Sequence, residues 1–151
     1  MQVRFLFLGL AALAVGCGSS GGSTVISSQP LAGKIGGQAW TFMTGETDSY
    51  LSTASEAWVA GYAETFTACT GFPPTGTNQL LMRFPMAVGS YAVTLSRSQT
   101  FYIAATNDNL VATSGEIDIT EVTATTISGG ANFAFNADNS VDGQFQVTIC
   151  P

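Results

Sequence analysis

Chemistry in this chain must be built without histidine, because its 151 residues contain none. That removes the commonest general base, the Ser-His-Asp and Cys-His arrangements, and the usual nitrogen ligand of zinc. Two acidic groupings and the thiols of Cys17, Cys69 and Cys150 remain. Glu116 and Asp118 stand on one face of an alternating stretch, with Asp108 nearby in sequence. Paired carboxylates of this kind flank the scissile bond in glycosidases. Alternating acids are also the ordinary wet side of a strand, and that is the role expected here. Asp138-Asn139-Ser140-Val141-Asp142-Gly143 matches the first half of a calcium loop, D-x-[DN]-x-[DN]-G, with Ser140 in the third position. The twelfth position, where a bidentate Glu belongs, is Ile149, and the flanks read as strands. A β-turn built on Asp and Asn is the expected role for Asp138, Ser140 and Asp142, and no metal or other cofactor is assigned. Lys34, the sole lysine, has no activating partner in its surroundings. The residues point away from catalysis.

Binding chemistry is better represented. Aromatic residues supply 11% of the chain. Tyr50, Phe72 and Tyr102 lie in or beside loops and are the candidate ligand contacts, since exposed rings can stack on sugars or peptides. Trp40, Phe42, Trp58, Tyr62, Phe66, Tyr91, Phe101, Tyr102, Phe133, Phe135 and Phe145 are mostly core candidates by strand phase. Charged residues are only 9% of the chain, against roughly 25% in an ordinary soluble domain. The formal net charge is −6, and beyond Arg4 the basic residues are Lys34, Arg83 and Arg97. No cationic footprint for phosphates exists, so nucleic acid is excluded as a partner.

The elements that would carry these residues read as strands. Gln38 to Met43 alternates, with Trp40 and Phe42 on one face. In Ala57-Trp58-Val59-Ala60-Gly61-Tyr62-Ala63, Trp58, Ala60 and Tyr62 share a face and are expected inward. Gln79 to Phe84 places Leu80, Met82 and Phe84 inward and Arg83 outward. Further strands are expected at 91–95, 100–106, 116–122, 125–136 and 143–150, with turns at Asn107-Asp108-Asn109 and Ala137-Asp138-Asn139-Ser140. Residues 50–57 are the one expected helix. About seven to nine short strands at such intervals predict a single all-β domain, an antiparallel sandwich or barrel. Phe72-Pro73-Pro74-Thr75-Gly76 predicts a rigid loop, because its prolines fix their own φ.

The start of the chain has a different character. Arg4 precedes an apolar stretch from Phe5 to Val15, too short to span a bilayer but suited to a secretory leader. Leu13-Ala14-Val15-Gly16-Cys17 resembles the lipobox of bacterial lipoproteins, although the favoured Leu lies four residues before the cysteine and Ala14 takes its usual place. The resemblance implies a signal peptide over residues 1–16 and acylation of Cys17. The lipid would be followed by a flexible tether over residues 17–30, which contains the Gly-Ser stretch 18–23, and then by the β-domain over 31–151. Acylating Cys17 leaves Cys69 and Cys150 as an even pair in an oxidising compartment, so a disulfide is expected rather than free thiols or a metal pair. Gly18 after the cysteine implies the outer membrane of a Gram-negative bacterium, with the membrane itself as partner through the anchor. Gly33-Lys34-Ile35-Gly36-Gly37-Gln38-Ala39-Trp40-Thr41-Phe42 resembles the opening strands of uncharacterised Gram-negative lipoprotein domains. Ser114-Gly115-Glu116-Ile117-Asp118-Ile119-Thr120 and the strands after it resemble their closing meander. The expected function is that of a non-catalytic structural or interaction lipoprotein binding an envelope protein or polymer. The alternatives are a β-barrel carrier of a small apolar ligand and a carboxylate-dependent envelope hydrolase.

Overall fold

The structure is a computed structural model, and it describes residues 25–151. The expected leader, Cys17 and the Gly-Ser stretch lie outside the described residues. Eleven strands make up the fold, with no helix among the described residues. They are β1 (Ala32–Ile35), β2 (Gln38–Thr41), β3 (Thr44–Thr47), β4 (Glu56–Tyr62), β5 (Gln79–Pro85) and β6 (Gly89–Ala92), then β7 (Thr100–Ile103), β8 (Asp108–Val111), β9 (Ser114–Val122), β10 (Thr126–Asn136) and β11 (Asn139–Thr148). The all-β class expected from the sequence is the observed one, as a single curled sheet that forms a half-barrel.

The order across the sheet is β6-β9-β10-β11-β3-β4-β5-β7-β8, with the β1–β2 hairpin attached to β11. Nearly all pairings are antiparallel. The exception is the join between β11 and β3, which is parallel and rests on one register pair, Thr148 with Glu46. A long, regular ladder therefore meets a second ladder across a narrow seam. Just past the seam, the Cys150 N–H donates to Thr47 Oγ1 at 2.8 Å.

The concave side holds the core. Phe84, Phe101 and Phe133 are fully buried, joined by Ile117, Ile119 and Ile127. Phe145 brings rings from both ladders together, 6.1 Å from Phe84 and 6.3 Å from Phe42 between centroids. Thr47, Gln99 and Asn139 are the buried polar residues among those described, and Gln99, the most enclosed, is satisfied: its side chain accepts from the Arg83 N–H and donates to the Arg83 and Arg97 carbonyls. It supplies a rung on the β7 side of β5, where the pairing with β7 has ended at Leu81. Buried polar groups cost little when paired in this way.

Four expectations are corrected. Residues 50–57 form no helix. Asp48 accepts the Tyr50 and Leu51 amides at 2.8 and 2.9 Å, and Thr53 Oγ1 accepts those of Ser55 and Glu56. These local side-chain bonds compete with helix formation and turn the chain into β4. The turn expected at 107–109 occupies residues 104–107 instead, with β7 ending at Ile103, Asn107 at φ 57° and Asp108 already opening β8. Phe135 is 39% exposed rather than core, because the register shifts between Ala134 and Asn136 and the bulge turns its ring outward. The bonded body also begins before Leu31. Ser27 N–H donates to Asp142 Oδ1, and Gln144 Nε2 donates to the Ser27 carbonyl, tying the end of the expected tether across β11.

Candidate functional site

The phase of β4 decides what the outer surface offers. Ala57 and Val59 enter the core, and Gly61 shares their face. Trp58, Ala60 and Tyr62 share the opposite face. Trp58 and Ala60 are half-buried there, the reverse of the sequence expectation, while Tyr62 is buried as expected, under neighbouring side chains rather than in the main core. Both faces of this strand are apolar, so alternation cannot choose between them. Space does. A Cβ at position 61 would lie 3.0 Å from Phe42 Cε2, so only the face with small residues fits over that ring.

Cross-strand pairing extends the outward face into a grid. Trp58 stands opposite Arg83, Ala60 opposite Leu81, and Tyr62 opposite Gln79. The next strand continues two of these rows, Leu81 to Thr100 and Gln79 to Tyr102. Small Ala60, between two large rings, leaves a trough. The result is a groove of about 380 Å³ lined by Leu51, Trp58, Tyr62, Leu81, Arg83 and Thr100 among others. Its wall is the 48–52 turn, which Ser52 clamps to β4: its Oγ accepts from the Trp58 N–H at 3.0 Å and donates to the Trp58 carbonyl at 3.2 Å. That clamp brings Leu51 to the rim.

The electrostatics of the groove are those of contact. The Arg83 guanidinium lies 4.6 Å from the Trp58 ring centroid and pairs with Glu56 at 2.8 Å. Its Nε is buried without a partner. Burial, and secondarily the Glu46 carboxylate, push the Tyr62 phenol above its ordinary pKa. Tyr62 also meets Phe66 edge to face at 5.1 Å. Asp48 is the one carboxylate in the lining, and it is occupied with turn amides. This surface can hold a ligand by ring contact and hydrogen bonding.

The candidate residues read from the sequence are scattered. Tyr50 and Phe72 are 96% and 97% exposed. Tyr50 shares a shallow depression of about 230 Å³ with Cys69, Gly71 and Cys150. Tyr102 lies on the outer face of β7, where its hydroxyl donates to Asn107 Oδ1 at 3.0 Å. Cys69 and Cys150 form a disulfide, with their Cα atoms 5.2 Å apart. Glu46 lies beside this bridge, accepting the Cys69 N–H at 2.6 Å. The two cysteines and Glu46 are the one group with metal-ligand spacing among the described residues, but bridged sulfurs offer no thiolate.

The acidic groupings take structural positions. Asp118 accepts from Ser90 Oγ at 2.9 Å on the outer face of β9, while Asp108 belongs to β8, which pairs with β7 and not with β9. Asp138 sits in the β10–β11 turn, where its N–H donates to Asn136 Oδ1. Asn139 Oδ1 accepts the Gly36 N–H, and Asp142 accepts from Ser27. Lys34 stands across from Ala39 and Ser140 on exposed β1. The residues that sequence reading missed are Leu51, Leu81 and Arg83, together with the outward placement of Trp58. The available signal was the pairing of large and small residues on the two faces of β4. Comparison with protein-family models, with curated proteins and with solved structures finds no match to this chain.

Proposed function

We propose that this protein is a lipid-anchored component of the bacterial cell envelope whose β-domain is a non-catalytic interaction module. The anchor reading rests on the Leu13-Ala14-Val15-Gly16-Cys17 pattern and the apolar leader before it. The observation that carries the interaction reading is the groove on the outer face of β4 and β5, walled by Trp58, Tyr62, Leu51 and Leu81. Its partner is an envelope protein or polymer presenting rings, sugar faces or aliphatic side chains. Large aromatic anchors beside an arginine are the usual composition of energetically important contact sites. An interior filled by Phe84, Phe101 and Phe133 favours this over a barrel carrier, which needs a cavity. Acids spread on a strand face favour it over a hydrolase, which needs them converging across a cleft.

Two measurements test the reading. Intact-mass spectrometry of the protein purified from membranes should show a chain that begins at Cys17 and carries acyl chains. Cys17→Ser should abolish the acyl increment and release the protein from the membrane fraction; an unlipidated wild-type chain overturns the anchor. For the groove, a photo-crosslinking amino acid is placed in living cells at position 51 or, on the polar face of β11, at position 146. A discrete adduct from 51 alone is the expected result. Equal adducts from both positions, or none from either, overturn the groove as the contact surface.

A further inference from the structure

Where the short ladder meets the long one, three groups able to ligate a metal stand together. Cys69 and Cys150 are bridged, and the Glu46 carboxylate lies against them. One Glu46 oxygen accepts the Cys69 N–H at 2.6 Å and stands 3.7 Å from Cys150 Sγ. The ligand atoms of all three residues lie within 4.8 Å of one another. The three residues border the shallow depression of about 230 Å³, where Cys69 is exposed and Glu46 and Cys150 are half-buried. None of them is sealed from solvent.

The bond between the sulfurs is not all that holds these residues in place. Glu46 and Thr47, neighbours on β3, each take one cysteine amide: Glu46 that of Cys69, and Thr47 Oγ1 that of Cys150 at 2.8 Å. The turn around Cys69 is closed by the Gly71 N–H, which donates to the Thr67 carbonyl at 2.7 Å. Beside Cys150, the Ile149 N–H donates to the Thr125 carbonyl at 2.8 Å. Both cysteines therefore keep backbone ties that do not pass through sulfur. Thr47 also shows that a neutral oxygen is enough to hold such an amide, so the charge of Glu46 is surplus to anchoring.

We propose that reduction of the bridge turns this corner into a binding site for zinc(II), with Cys69, Cys150 and Glu46 as its ligands. A dithiol reductant supplies two electrons and two protons: the sulfur–sulfur bond breaks, two thiols form, and the reductant leaves as its own disulfide. Zinc then replaces the two thiol protons, which pass to solvent, and bonds two thiolates and one carboxylate oxygen. Ligands about 2.0–2.3 Å from a tetrahedral zinc stand roughly 3.5–3.8 Å from each other, the spacing that Glu46 already keeps from Cys150. Rotation of the freed cysteine side chains brings the sulfurs to the same spacing. Glu46 has a second oxygen, so it can ligate and still hold the Cys69 amide. Thiolates select against magnesium and calcium, which take oxygen ligands, and the carboxylate favours zinc over copper(I), which takes sulfur. Three protein ligands leave the fourth position to water.

The full chain carrying Cys17→Ser, in which Cys69 and Cys150 are the only cysteines, is titrated in detergent with zinc(II) by calorimetry and with cobalt(II) by absorption spectroscopy. The bridged chain is compared with the chain reduced by a phosphine, which adds no competing thiol. One equivalent bound after reduction, with thiolate-to-cobalt charge-transfer absorption, and none bound before it, are expected. Glu46→Gln should weaken zinc binding by about tenfold or more, and Cys69→Ser should abolish it. Glutamine still offers an oxygen to the Cys69 amide, so a merely anchoring Glu46 predicts unchanged affinity in that variant. The same variant separates a folded site from two loose thiols of an unfolded chain, to which position 46 contributes nothing. No binding after reduction, equal binding before and after it, or equal affinity in the parent chain and Glu46→Gln overturns the proposal.

Discussion

The two ladders of the curled sheet differ in what they show the solvent. The ladder of β9, β10 and β11 is built from long strands of 9, 11 and 10 residues, and its outer face carries Asp118, Ser128, Gln144 and Gln146. The ladder of β3, β4, β5 and β7 uses strands of four or seven residues and presents Trp58, Leu81 and Tyr102 outward, with Tyr62 on the same face but buried. The first is long-stranded and wet, apolar on one side only, as antiparallel sheets usually are. The second carries large apolar side chains on both sides, with Gln79 and Arg83 among them on the outer one, and is interrupted by the chain segment between Tyr62 and Gln79. A sheet needs only one dry face to fold, so apolar residues on the second face are surplus to folding. On the proposed reading the contrast divides the roles: both ladders feed the core, and the short one also supplies contact.

The disulfide should then matter most to the short ladder. Cys69 and Cys150 lie 81 residues apart, and closing such a loop is worth about 4–5 kcal/mol in the chain-entropy treatment. Cys69→Ser should lower the unfolding free energy by that order in denaturant titration. Hydrogen exchange should show where: β3 amides lose protection first, while β9 to β11 keep theirs. The seam at Thr148 and Glu46 is a single register pair, which is why the staple sits there. Uniform loss of protection across both ladders would break the comparison.

Neighbouring positions on β4 sharpen it. Gly61→Ala pushes a methyl toward Phe42, whose Cε2 lies 3.0 Å from the position of that Cβ, and should cost about 1–3 kcal/mol by overpacking. Ala60→Leu points the other way, into the groove, and should change stability by no more than about 0.5 kcal/mol. Its effect should fall on binding, by abolishing the crosslink from position 51. If Ala60→Leu destabilises as strongly as Gly61→Ala, the outer face is part of the folding core and the division of roles fails.

That pair of positions also shows how far the sequence could be read. The inward set Leu80, Met82 and Phe84 was legible because Arg83 and Gln79 break the apolar run and reveal the period. The dry face of β9 was legible for the same reason, with Glu116 and Asp118 marking its wet side. The disulfide followed from parity once Cys17 was set aside. The groove was not legible, because in β4 neither face is polar and the choice depends on Phe42, a residue from the link between β2 and β3. Strands β3 and β8 were missed as separate elements, being four residues each and rich in Thr, Gly, Asp and Asn, which suggest turns.

Tyr62 offers the finest test of whether the outer face is already dry. Its phenol is held above its ordinary pKa, first by burial and then by Glu46. The neutral form is therefore favoured in the folded chain. Below the unfolded value, about 10, both states keep the proton and the contribution is fully present. As the pH rises past that value the unfolded chain ionises first, and stability falls until the folded phenol also titrates. Tyr62→Phe should remove this part of the alkaline slope while leaving stability at neutral pH little changed, as followed by denaturant titration from pH 8 to pH 12. Glu46→Gln should reduce the slope without abolishing it, because burial is the larger cause. A slope identical in wild type and Tyr62→Phe would mean that the phenol is solvated, and that the groove is as wet as the face of β9 to β11. A slope lost in Tyr62→Phe and only lessened in Glu46→Gln would mean that the outer face is desolvated before any partner arrives, so that docking there begins with much of the cost of drying already met.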